Sequence, residues 1–314
     1  MRFFRALLIP AIVFAVSAHA RNFLESPHIE MESGRHIYVE MARASDPNKP
    51  TFLFLPGMFC APLQDEKFIA ALRAKGFGAI IMNFSLQAPS IALLTEREIP
   101  FFKRRELTLS DLANEVEFVA KSVREEFPGI VLIPVSLSYS TAVSPYLRSF
   151  THIIETSPMT STWAAKPEVF SFKRGLDMNP FIPQRAIRRL LDQMYFNSSY
   201  AITEFTIWRY KLKNPRRHEM NEGYEALARM AEEFNWDKAS LSPEIHRDWI
   251  IAGGEDYPLK VHQKSTFEKF KKTQPTSRLI EIFGAGHIIK DSQPERLAEA
   301  LETLGSGCEN NLVL

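Results

Sequence analysis

The sequence predicts an α/β fold, a mainly parallel sheet with helices on both faces and an inserted helical cap. Three observations predict it. Up to about residue 157, apolar runs too short for a helix alternate with stretches of helical periodicity. Between residues 158 and 243 the short runs disappear, and helical stretches joined by Pro and Asn breaks take over. After residue 243 the alternation resumes and continues to about residue 305.

The opening residues stand apart from this pattern. Arg2 and Arg5 precede an apolar run over residues 6–16, and Ala18, His19 and Ala20 form an A-x-A site, the layout of a cleaved secretory leader. Spanning hydrocarbon takes roughly 20 apolar residues; this run is far shorter and contains Pro10. Residues 1–20 are therefore expected to be removed, leaving an exported protein, periplasmic or secreted, with no stable membrane insertion.

Residues 28–32 and 36–41 alternate around Ser33 and Gly34 and are expected to form a hairpin at a sheet edge. Residues 51–55 read as a strand buried on both faces, 63–75 as a helix and 79–83 as a second buried strand. Thr108 or Ser110 can cap a helix reaching about Glu126, with Asp111 favouring its positive end. Pro128 and Gly129 stop it, and residues 130–135 form the next strand. A helix over 141–150, with Pro145 near its first turn, and a strand over 152–155 complete the first part of the core, residues 21–157.

The cap, residues 158–243, is expected to hold helices over 184–196, 201–211 and 223–234. The second part of the core, 244–305, offers strands at 248–252 and 278–283 and helices at 260–272 and 294–304. Residues 306–314 read as a tail.

Composition narrows the function classes. With 314 residues, 45% of them hydrophobic, 24% charged and a formal net charge of +1, the chain has the makings of a folded body and nothing that attracts nucleic acid. Its two cysteines, Cys60 and Cys308, leave room for at most one bridge and give no zinc spacing, so no metal is implied.

The chemistry begins at a serine. A serine hydroxyl is a poor nucleophile unless a base lies within hydrogen-bond reach, an acid orients that base, and donors await the oxyanion. Ser136, Leu137, Ser138, Tyr139 and Ser140 follow strand 130–135 and have the small-x-nucleophile-x-small form of a nucleophile elbow, whose tight turn leaves little room for its flanking side chains. Gly253, Gly254, Glu255 and Asp256 place a carboxylate just past the strand ending at 252. Gly284, Ala285, Gly286 and His287 place an imidazole just past the strand ending at 283. Pro56, Gly57 and Met58 follow the first buried strand, and the Met58 amide can join the Tyr139 amide as an oxyanion donor. His28, His36, His152, His246 and His262 read as structural or surface residues, and His218 as solvated.

The order Ser, Asp, His at three strand ends resembles the α/β-hydrolase superfamily over nearly all of the chain beyond the leader. The resemblance implies Ser138 as nucleophile, His287 as general base and acid, Asp256 as its orienter, and Met58 and Tyr139 as oxyanion amides. Glu155, at the end of strand 152–155, is the alternative acid, because some members place it there. Two departures stand out: Pro56 and Gly57 where the family often has His-Gly, and Ser136 and Ser140 where it usually has glycine. Dehalogenase and epoxide hydrolase relatives need a carboxylate where this chain has Ser138.

The activity implied is cleavage of a small or medium apolar ester through an acyl-enzyme, with no cofactor and a small-molecule substrate as partner. Aromatic residues of the cap, Trp163, Phe172, Tyr195 and Trp208 among them, can wall an apolar site. A thioesterase or a capped aminopeptidase of the same fold is the alternative within the class. A catalytically silent binding protein is the alternative outside it.

Overall fold

A computed structural model describes residues 28–57, 66–87, 90, 107–159, 223, 226–227, 229–231, 234–253 and 260–306. The expected leader, the helices at 184–196 and 201–211, and Met58, Cys60, Asp256 and Cys308 lie outside the described residues.

The chain opens with β1 (His28–Glu30) and β2 (His36–Ala42), an antiparallel hairpin. Its turn uses Gly34 at φ +75°, in the left-handed region that L side chains avoid, with Gly34 N donating to Met31 O at 2.8 Å. β3 (Thr51–Leu55), α1 (Glu66–Ala74) and β4 (Gly78–Asn83) form the first strand, helix, strand unit. α2 (Leu109–Glu126) starts where the sequence says it should: Thr108 Oγ1 accepts from Asp111 N at 3.3 Å, and the Asp111 carboxylate accepts from Thr108 N at 2.8 Å.

β5 (Leu132–Leu137) and β6 (His152–Thr156) follow. Next among the described elements come β7 (His246–Gly253), α3 (Lys260–Lys271), β8 (Leu279–Phe283), the short α4 (Ile289–Ser292) and α5 (Pro294–Gly305).

Among the described residues, eight strands lie in the order β1-β2-β4-β3-β5-β6-β7-β8, antiparallel through β2 and β4 and parallel from β4 onward. Strand order reverses at β3, which has β4 on one side and β5 on the other. Such a switch point opens a crevice at the carboxyl ends of the strands. Alternate residues of the buried strands feed opposite layers. Leu53, Ile80 and Trp249 pack with Val116 and Val119 of α2; Phe52, Ala79 and Ile250 pack with Phe68 of α1 and Leu301 of α5. The outer helices α1 and α5 are also laced by Lys75 Nζ, 2.7 Å from Glu302 Oε2. Residues Ala226, Leu227, Met230 and Trp236, from the stretch between β6 and β7, join the layer that holds α2. Among the described residues no helix is long and apolar enough to cross a membrane.

Two elements differ from expectation. The strand expected over 130–135 runs Leu132–Leu137, because Ile130 N still bonds Phe127 O in the turn that ends α2. The helix expected over 141–150 is replaced by two 3₁₀ turns, Ser138–Ala142 and Ser144–Tyr146. Pro145 has no N–H to offer Thr141 O, and the Ser144 hydroxyl, 3.1 Å from that oxygen, is turned to the Glu155 carboxylate at 2.6 Å. Pro145 sits in the first turn of the second of these segments, and the long helix does not form.

Candidate active site

The first residue beyond β5 is Ser138, at φ 52° and 5% exposed. A non-glycine residue in the left-handed region is held there only by its surroundings, and hydrogen bonds surround this one. The Ser140 hydroxyl accepts from Leu137 N at 2.7 Å and lies 3.1 Å from Leu55 O on the neighbouring β3. The Thr141 hydroxyl donates to Ser138 O at 2.7 Å and accepts from Met159 N at 3.0 Å. The backbone therefore turns sharply and presents the Ser138 side chain at the carboxyl end of β5.

His287 reaches the same point from β8. Gly284, at φ +74°, lets the chain turn after Phe283, and Gly286 N donates to Ser292 Oγ at 3.1 Å, anchoring the loop to α4. The imidazole is 3% exposed, and its Nε2 lies 2.8 Å from Ser138 Oγ across 149 residues of sequence. Burial pushes the His287 pKa down from 6.5 to about 4, so the ring is neutral at neutral pH. With its proton on Nδ1, Nε2 accepts from the Ser138 hydroxyl, the arrangement a general base requires.

No family model and no curated protein matches the chain. Solved structures do. An esterase from Exiguobacterium antarcticum is 13% identical, covering 90% of this chain and 99% of its own, with a TM-score of 0.63. A probable hydrolytic enzyme from Pseudomonas aeruginosa is 16% identical over 90% of this chain and 93% of its own, TM-score 0.61. An esterase from Thermogutta terrifontis is 17% identical over 90% of this chain and all of its own, 100%, TM-score 0.59. The chain has the α/β-hydrolase fold.

Within that fold, Ser138 and His287 occupy the strand ends at which the sequence placed them, and they meet. Tyr139 follows the serine at the head of the 3₁₀ turn, where backbone N–H groups lack partners within the turn. Its phenol points into the core, where burial raises its pKa. Asp256 follows three residues after the end of β7 at Gly253, outside the described residues.

Glu155 is a correction. Its carboxylate, fully buried on β6, is bonded to the hydroxyl of Ser136, to Ser144 Oγ at 2.6 Å and to Arg247 Nη1 at 2.7 Å. None of these bonds reaches His287, so Glu155 does not orient the imidazole. Sequence reasoning missed Arg247. The signal available was a cation within a strand whose continuation, Trp249 to Ala252, is wholly apolar; a cation buried there must find a partner.

At the opposite end of β6 and β7 lies a second cluster. His152, His246 and Asp248 bring one ligand atom each within 4.8 Å of one another, close enough to share a metal ion. Arg278 fills that position's counter-charge: its backbone N, Nε and Nη2 lie 2.7, 3.1 and 2.6 Å from the Asp248 carboxylate. Burial opposes ionisation of Asp248, but hydrogen bonds from His152, His246 and Arg278 outweigh it and hold the carboxyl below the usual range. The cluster is a clamp tying β6, β7 and the start of β8 together.

Beside the Ser138 turn lies a small hollow of about 30 Å³, lined among the described residues by Pro56, Leu137, Thr156, Ile289 and Lys290 with apolar side chains beneath. Neither Ser138 nor His287 lines it.

The buried imidazole sets a pH dependence. Protonated His287 cannot take a proton from Ser138, so the rate of any reaction that draws on that proton is expected to hold through pH 6.5 and to decline about tenfold per unit only below about pH 4. The unfolded chain binds a proton at 6.5 that the folded chain refuses until about 4. Stability is therefore expected to fall as pH drops through that interval. A pH-rate profile and urea midpoints over the same range measure both; an acid limb at 6.5 would contradict the burial argument.

Proposed function

We propose that this protein is a serine hydrolase that cleaves an apolar ester through an acyl-enzyme. The observation that carries the proposal is the Ser138 hydroxyl 2.8 Å from His287 Nε2, at a turn in the left-handed region and at the sheet's switch point. In this reading Ser138 Oγ attacks the ester carbonyl while His287 takes its proton. The amides of Tyr139 and Met58 hold the oxyanion, and Asp256 steadies the imidazolium. Collapse of the tetrahedral species breaks the bond to the alcohol, which leaves with the proton from His287. Water then repeats the sequence on the acyl-enzyme and restores Ser138.

Two of the similar structures being esterases favours ester over amide cleavage.

A fluorophosphonate probe tests the proposal, because it phosphonylates only a serine activated by a base. Labelling is expected on the peptide containing Ser138, to be absent from Ser138→Ala, and to compete with a p-nitrophenyl ester. A folded protein that takes no label and hydrolyses no ester, thioester or aminoacyl anilide would instead be a silent member of the fold.

A further inference from the structure

We infer that the buried pair Glu155–Arg247 is a positioning device for the nucleophile turn, gripping it at Ser136 before Ser138 and at Ser144 after it. The inference rests on the reading of Ser138 as nucleophile. Ser136, Ser144, Glu155 and Arg247 are all fully buried. One carboxylate oxygen of Glu155 takes both Ser144 Oγ, at 2.6 Å, and Arg247 Nη1, at 2.7 Å; the other takes the hydroxyl of Ser136. Arg247 adds two bonds of its own, Nη1 to Ser144 Oγ and Nη2 to Ser144 O, both 3.0 Å. From the same strand as Glu155, the Thr156 hydroxyl donates to Ser136 O at 2.7 Å. The two ends of the turn are thus fastened to one charged centre that spans β6 and β7.

Stability does not explain this centre. Burial raises the pKa of Glu155 and lowers that of Arg247, each toward its neutral form, against the attraction between them. Among the described residues Arg247 Nε has no hydrogen-bond partner, a further penalty. Well-packed apolar residues in place of such a pair commonly leave a protein as stable or more so. What the pair supplies is directional: fixed bonds to two hydroxyls and a carbonyl of the chain that carries Ser138. It also accounts for a serine at 136, where glycine would have no hydroxyl to hold.

The experiment replaces only the gripped hydroxyls, leaving the ion pair in place. Ser136→Ala, Ser144→Ala and the double variant are compared with the wild type in fluorophosphonate labelling rate and in kcat and KM on a p-nitrophenyl ester. All rates are expressed per folded molecule, counted by circular dichroism. Each single variant is expected to lose about tenfold in kcat and labelling rate with KM within about twofold, and the double variant to lose less than the product, since both act through one carboxylate. Ser144→Thr, which keeps the hydroxyl, is expected to label within about twofold of the wild type. Variants that melt earlier but label at the wild-type rate would make the pair a scaffold only and overturn the inference while leaving the serine hydrolase standing. A wild type that takes no label would overturn both.

Discussion

Ser138→Ala is expected to lower kcat on an ester by about 10⁶-fold, with His287→Ala nearly as damaging and the double variant little worse than either. The near-identity of the three losses follows from the 2.8 Å contact: a hydroxyl without its base, or a base without its hydroxyl, leaves the same inert pair. What survives is the small acceleration from oxyanion donors and substrate binding. Neighbouring serines cannot substitute. The Ser136 hydroxyl is engaged by Glu155, and that of Ser140 by Leu137 N and Leu55 O. Stopped-flow hydrolysis of a p-nitrophenyl ester measures the loss, and a Ser138→Ala protein retaining a tenth of the wild-type rate would refute Ser138 as nucleophile.

Asp256→Asn is expected to cost about 10⁴-fold in kcat, through loss of the tautomer and orientation of His287. Glu155→Gln, by contrast, is expected to cost about tenfold, the effect of a loosened turn rather than a lost acid. The contrast follows from where the Glu155 carboxylate is spent, on Ser136, Ser144 and Arg247. An imidazole with a depressed pKa needs a nearby carboxylate to stabilise the cation formed during proton transfer, and the loop after β7 carries that residue type. Kinetics on the two variants side by side decide between them; a reversed ranking would return the acid's role to Glu155.

The strand ends were the legible part of the site. Small residues behind short apolar runs, Ser136 and Ser140 around Ser138 and Gly284 and Gly286 before His287, mark chains that turn sharply at strand ends, and together they located both. The Thr108 cap was legible for a similar reason, since its bonds close within four residues. Pro145 misled because proline suits the first turn of a short 3₁₀ segment as well as that of a long helix; the partners that hold the short segments, Glu155 on Ser144 and Met159 on Thr141, are distant in sequence. Least legible was Arg247. It is 92 residues from Glu155 and 103 from Ser144, and contacts at such separation leave no periodic trace. The same holds for His152 and Asp248, 96 residues apart, which read singly as ordinary strand residues.

The sheet's connectivity also fixes a timetable. During synthesis, β1 to β6 leave the ribosome as a block that already contains the Ser138 turn, whereas its histidine partner sits 149 residues later, behind β8. Glu302, to which Lys75 of the α1 end is tethered, comes later still. A ribosome stalled anywhere before residue 287 therefore holds a chain whose serine has no base, however well the early strands have paired. The contact between the two is among the last this protein can make.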